Sequence, residues 1–131
     1  MAEANQAATD EGVQRIQASV LFKPPTAELR NLPEGPYLLA DGRISWVAIE
    51  HGGGATQGSL NILDPATGVN ESRTLSGRPG FAFPTEREGV FVVGMDRAVG
   101  LYDWGTHSWT PFVEGIDAGV AEKTRINDGV I

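Results

Sequence analysis

The chain has no cysteine, only two histidines, and ten lysines and arginines against seventeen aspartates and glutamates. Without cysteine there are no disulfides and no thiolate metal sites, so any nucleophile must be an oxygen, a nitrogen or an activated water. The shortage of basic residues leaves a net charge of −7. That argues against a nucleic-acid backbone as partner, which needs clustered Lys and Arg. It argues equally against docking on anionic membranes. No apolar run approaches the ~20 residues needed to span a bilayer. The start, Met1 to Gln14, is Ala-rich, polar and acidic, and lacks the basic opening and apolar stretch of a secretory signal. A cytoplasmic location is the resulting expectation.

Helical periodicity is nearly absent as well. What is present is a soluble composition, 40% hydrophobic and 21% charged, enough for a packed core. Residues 1–14 read as a flexible leader, and residues 15–131 as the folded part. Ile16 to Phe22 is an apolar run stopped by Pro24-Pro25, which predicts a strand. Short strands then alternate with turn signals: Pro36–Leu39, Arg43–Ile49, Ser59–Leu63 and Ser72–Leu75. In the second of these, Ile44, Trp46 and Ala48 fall on one face and Val47 and Ile49 on the other. Apolar residues on both faces predict a strand packed between neighbouring sheets. Asp41-Gly42 marks a hairpin, and Asp64-Pro65-Ala66-Thr67-Gly68 a turn with Pro at its second position.

The same order recurs in Gly80–Pro84, Gly89–Gly94, Val99–Tyr102 and Ser108–Val113. Leu60-Asn61-Ile62-Leu63-Asp64 overlays Val99-Gly100-Leu101-Tyr102-Asp103, and Ser72-Arg73-Thr74 approximates Ser108-Trp109-Thr110. The offsets of 39 and 36 residues lie close to the ~40–50 of a propeller blade. A third cycle opens with Thr124–Ile131. The expected fold is all-β, a partial β-propeller of about two blades plus one strand. A small β-sandwich with similar hairpins is the alternative. Trp46, Trp104 and Trp109 are expected to pack between blades. Asp64 and Asp103, in equivalent turns, are expected to cap them.

Two segments could carry chemistry. Leu32-Pro33-Glu34-Gly35-Pro36 puts a carboxylate at the start of an inner strand; alone, such a glutamate reads first as a solvated charge. In Thr124-Arg125-Ile126-Asn127-Asp128-Gly129, strand alternation puts Arg125 and Asn127 on one side. Arg offers a planar fork of donors and Asn both a donor and an acceptor, a pair suited to carboxylate or polyol oxygens. The Asn-Asp-Gly run reads equally as a hairpin turn. His51 and His107 have no partner at ligand spacing, Ser45 and Ser59 have no nucleophile context, and Gly52-Gly53-Gly54 is followed by no phosphate-loop Lys.

With these two segments, with Gly42-Arg43-Ile44-Ser45-Trp46-Val47 and with Gly80-Phe81-Ala82, the chain resembles the senescence marker protein/gluconolactonase/regucalcin family from about Ile16 to Ile131. The resemblance implies a six-bladed propeller with a divalent cation (Ca, Zn, Mg or Mn) in its channel, acting on a sugar lactone as small-molecule partner. It implies that Glu34 is a metal ligand and that Arg125 and Asn127 contact substrate. It places the remaining ligands and the catalytic base beyond Ile131. The implied chemistry is lactone hydrolysis, with the cation polarising the carbonyl and a carboxylate activating water. A non-catalytic calcium-binding or partner-binding propeller is the alternative, and a related ester substrate a further one. A whole propeller of this kind needs roughly 290 residues at ~40–50 per blade. The expectation is therefore an incomplete chain, inactive alone and marginally stable, because isolated repeats leave apolar faces exposed.

Overall fold

The computed structural model describes residues 12–120 and 124–131, together with the backbone of 5–10. Two four-stranded antiparallel sheets form its body. The first runs β3 (Pro33–Leu38), β4 (Ile44–Ala48), β5 (Ser59–Asp64) and β6 (Val69–Thr74); the second runs β7 (Pro79–Pro84), β8 (Val90–Met95), β9 (Ala98–Asp103) and β10 (Trp109–Val113). Each is a meander in which every strand pairs with its sequence neighbour. No α-helix occurs among the described residues, only single 3-10 turns at Glu28–Arg30 and Ala118–Val120. The fold is therefore all-β, with the open sheets of a partial propeller.

The sheets stack through β7, which packs against β4 and β3. Val47, Ile49, Leu60, Ile62 and Leu75 of the first sheet meet Ala82, Phe91, Val93, Met95 and Tyr102 of the second in one buried cluster. The opposite face of β4 carries Trp46 and Ala48, which join Leu63 in a second cluster with Phe22, Leu29 and Ile44. The alternation seen in the sequence is thus the alternation of the two cores. Trp104 and Trp109 flank the core between the sheets, and Arg73 of the first sheet lies 4.3 Å from the Trp104 ring centre. Trp46 lies on the face away from the second sheet, against Phe22, with ring centres 6.3 Å apart. Its indole N–H donates to Asn70 Oδ1 at 2.9 Å.

Most strand boundaries fall within a residue or two of those expected. The departures have local causes. β3 begins at Pro33 rather than Pro36 because Pro33 and Glu34 already pair with Ala48 and Val47. The register then shifts before Tyr37. Gly35, at φ +61, and Pro36, which has no N–H to give a ladder, make a bulge there. The strand expected over Ile16–Phe22 continues no ladder past Gln17, and the one expected over Thr124–Ile131 forms none. Of the leader, residues 1–4 and 11 lie outside the described residues. Asn5–Asp10 (β1) pairs with Val13–Gln17 (β2) as a two-stranded hairpin. No helix among the described residues is long and apolar enough to cross a membrane.

Candidate functional site

Register places the chemistry-bearing residues at one end of the sheets. Pro33 pairs with Ala48, and Ser59 with Thr74, so the start of β3 lies at the same end as the β4–β5 loop. In the second sheet Pro79 pairs with Met95, so the start of β7 lies beside the Asp96-Arg97 turn. The two starts are on the same side of the stack. Gly58 N–H donates to Gly77 C=O at 2.9 Å, and Arg78 reaches Glu50 at 3.8 Å and Asp96 at 2.8 Å. At the far end of the same strands, Tyr37 meets the Phe83 ring edge-on at 5.8 Å. β3 and β7 therefore run side by side in the same direction.

The 124–131 segment lies on β7 from its other side. Ile126 N–H donates to Asp96 C=O at 2.7 Å. A Cβ on Gly80 would stand 2.3 Å from Ile126 O, and one on Gly129 would stand 2.7 Å from the Phe81 ring. Neither contact tolerates a side chain, so glycine at both positions is what lets the segment settle against the strand. Glu34, β7 and the segment bearing Arg125 and Asn127 are thereby three successive inner elements.

Glu34 is half-buried and lines a groove of about 330 Å³ with Val20, Phe22, Pro36, Trp46 and Leu63. Arg125 is half-buried and Asn127 exposed. Arg125 Nη1 donates to Asn127 Oδ1 at 3.0 Å and to Ile126 C=O at 3.2 Å. Arg125 and Asn127 therefore share one side of the segment, while no hydrogen bond or ion pair joins Glu34 to either among the described residues. Among the described residues no three His, Asp or Glu side chains come together as a metal-holding group. A hard divalent cation takes six or more oxygen ligands for Ca²⁺, or near-octahedral oxygens for Mg²⁺, so Glu34 alone does not fit one.

The turn aspartates act as caps. Asp64 Oδ1 accepts from Ala66 N–H at 2.9 Å; Asp103 Oδ1 accepts from Gly105 N–H at 2.9 Å and Thr106 N–H at 3.0 Å. The Thr106 N–H, aided by that of Gly105, holds the Asp103 carboxyl below its usual range. Burial pushes the Tyr102 hydroxyl up. Asp96 and Arg97 had no role in the sequence reading, yet the Asp96 carbonyl and carboxylate tie the 124–131 segment and Arg78 to one turn. Their only sequence signal is their place in a two-residue connection between apolar strands.

Two stacked four-stranded meanders, with inner strands side by side and the polar residues at their starting ends, define a propeller-type protein. The model of the SMP-30/gluconolactonase/LRE-like region matches residues 32–131, and the chain belongs to that family. The match begins just ahead of Glu34 and runs past Asn127, so it takes in both segments. No curated protein sequence and no solved structure matches the chain.

Proposed function

We propose that the chain is part of a divalent-metal-dependent lactonase that hydrolyses sugar lactones, with residues 15–131 forming its propeller portion. The observation that carries this is the Arg125–Asn127 pair, joined at 3.0 Å on a segment laid against an inner strand within the family match. With Asn127 Oδ1 engaged by Arg125, the Asn127 NH2 group and the other guanidinium N–H groups are donors for a polyol's oxygens. Water adds to the lactone carbonyl carbon, the ring C–O bond breaks, and the ring oxygen leaves as a hydroxyl. The carboxylic acid formed then ionises and releases a proton. Arg125 and Asn127 orient the substrate hydroxyls for that attack. Glu34 would supply one oxygen ligand of the cation; the other ligands and the water-activating base are assigned to no residue of this chain.

A pH-drop assay with D-glucono-1,5-lactone and each of Ca²⁺, Mg²⁺, Mn²⁺ and Zn²⁺ tests the reading on a protein carrying this sequence together with the later blades. Metal-dependent acid release that Arg125→Ala and Asn127→Ala each reduce by about 10-fold or more supports it. Full metal-dependent turnover in Glu34→Gln would remove Glu34 from the site. Metal binding without turnover would make the protein a binding propeller.

A further inference from the structure

Arg97, in the turn between β8 and β9, is 28 residues from Arg125 in sequence. Its guanidinium gathers four backbone carbonyls. Nη1 donates to Ile116 O at 2.8 Å and Asp117 O at 2.9 Å. Nη2 donates to Val120 O at 2.9 Å, and also to the carbonyl and hydroxyl oxygens of Thr124. Thr124 Oγ1 in turn donates to Val120 O at 3.2 Å. The turn's own backbone adds two anchors. Arg97 C=O accepts from Ile116 N–H at 3.0 Å, and Asp96 C=O from Ile126 N–H at 2.7 Å.

We propose that Arg97 is a positioning residue, which holds the chain at Ile116, Asp117, Val120 and Thr124 and so sets where Arg125 and Asn127 stand. The inference rests on the reading of those two residues as substrate contacts. The acceptors belong to four residues along the chain, and the two Nη groups of one planar fork reach them together. An ammonium has three donors on one atom and cannot span them. Two residues where the chain meets the first of these anchors hold left-handed backbone, Gly115 at φ +70 and Asp117 at φ +53. For Asp117 that conformation is unfavourable by itself, and the Arg97 bond to its carbonyl opposes its relaxation. The Arg125–Asn127 hydrogen bond starts one residue after the last carbonyl that Arg97 holds.

The test compares the full chain with Arg97→Lys and with Thr124→Val, which removes the hydroxyl that accepts from Arg97 and donates to Val120 O. Amide hydrogen exchange is followed by mass spectrometry, and D-gluconate binding by NMR titration. Exchange of residues 115–131 is expected to quicken by about 10-fold or more in Arg97→Lys and less in Thr124→Val, while β4, β5 and β8 keep their protection. Gluconate binding should weaken in the same order at unchanged thermal midpoint. Alkylguanidinium added to an Arg97→Gly chain should restore both. Unchanged exchange over 115–131 would overturn the proposal, as would an equal rise across all strands. If Arg97→Lys does not fold, the segment-selective effect of Thr124→Val decides. The exchange data decide the clamp whether or not the unsubstituted chain binds gluconate, and the substrate reading is decided by the lactone assay on the protein with the later blades.

Discussion

β3 and β7 hold the same place in their sheets, the inner strand of a four-stranded meander, yet their surroundings differ. β7 has Pro79, Gly80 and Ala82 buried, whereas every residue of β3 except half-buried Glu34 is exposed. Composition does not explain this, since Leu38 and Tyr37 in β3 are as apolar as Ala82. The difference lies in the neighbours. β7 has the first sheet on one side and residues 124–131 on the other, whereas β3 has a packed sheet on one side only. An inner strand of this fold is buried by what flanks it, and its own sequence sets how closely the flanking chain can approach.

The comparison breaks first where the two sheets meet. Leu60 is fully buried in the core that β7 rests on. Leu60→Ala should cost about 2–5 kcal/mol in urea unfolding; a loss under about 1 kcal/mol would mean that the sheets are not held together there. Next come the paired glycines. In Gly80→Ala the new Cβ meets backbone at 2.3 Å, so the 124–131 segment must move, at a cost of about 1–3 kcal/mol. In Gly35→Ala the nearest atom is Val47 Cγ2 at 4.0 Å, leaving only the left-handed φ, at about 1 kcal/mol. Thermal midpoints rank the two, and exchange over 124–131 should change in Gly80→Ala alone.

The smallest effect separates the twin turns. Backbone N–H groups lower the Asp103 pKa in the folded chain, so its contribution is complete above the unfolded value of about 3.9. It fades as pH falls through the lower folded value. The gap in urea midpoint between the native chain and Asp103→Asn should be seen at neutral pH and narrow progressively as pH falls below about 3.9. A gap that stays constant with pH would remove the charge from the cap.

The strands and their faces were legible because period-two alternation and turn residues are local signals: Trp46 opposite Val47 already separates two cores. The bulge at Gly35-Pro36 moved the start of β3 because pairing of Pro33 and Glu34 depends on the partner strand rather than on their own type. Arg125 and Asn127 could be placed on one side from their spacing. That Arg97 would gather carbonyls 19 to 27 residues further on could not be read, since nothing local marks which turn a returning chain will touch.

The meander connectivity of both sheets also bears on how the chain acquires its structure. Every ladder joins strands adjacent in sequence, so each sheet closes only short loops as it forms, at small entropic cost. The contacts that span longer separations include those of β7 with β3, β4 and β5 and of 124–131 with β7. Ladders of this kind favour fast formation within a sheet, and stacking is the step that joins distant parts of the chain. Substitutions at Leu60 or Gly80 therefore report on docking between units, whereas substitutions in the Asp64 and Asp103 turns report on the assembly of a single unit.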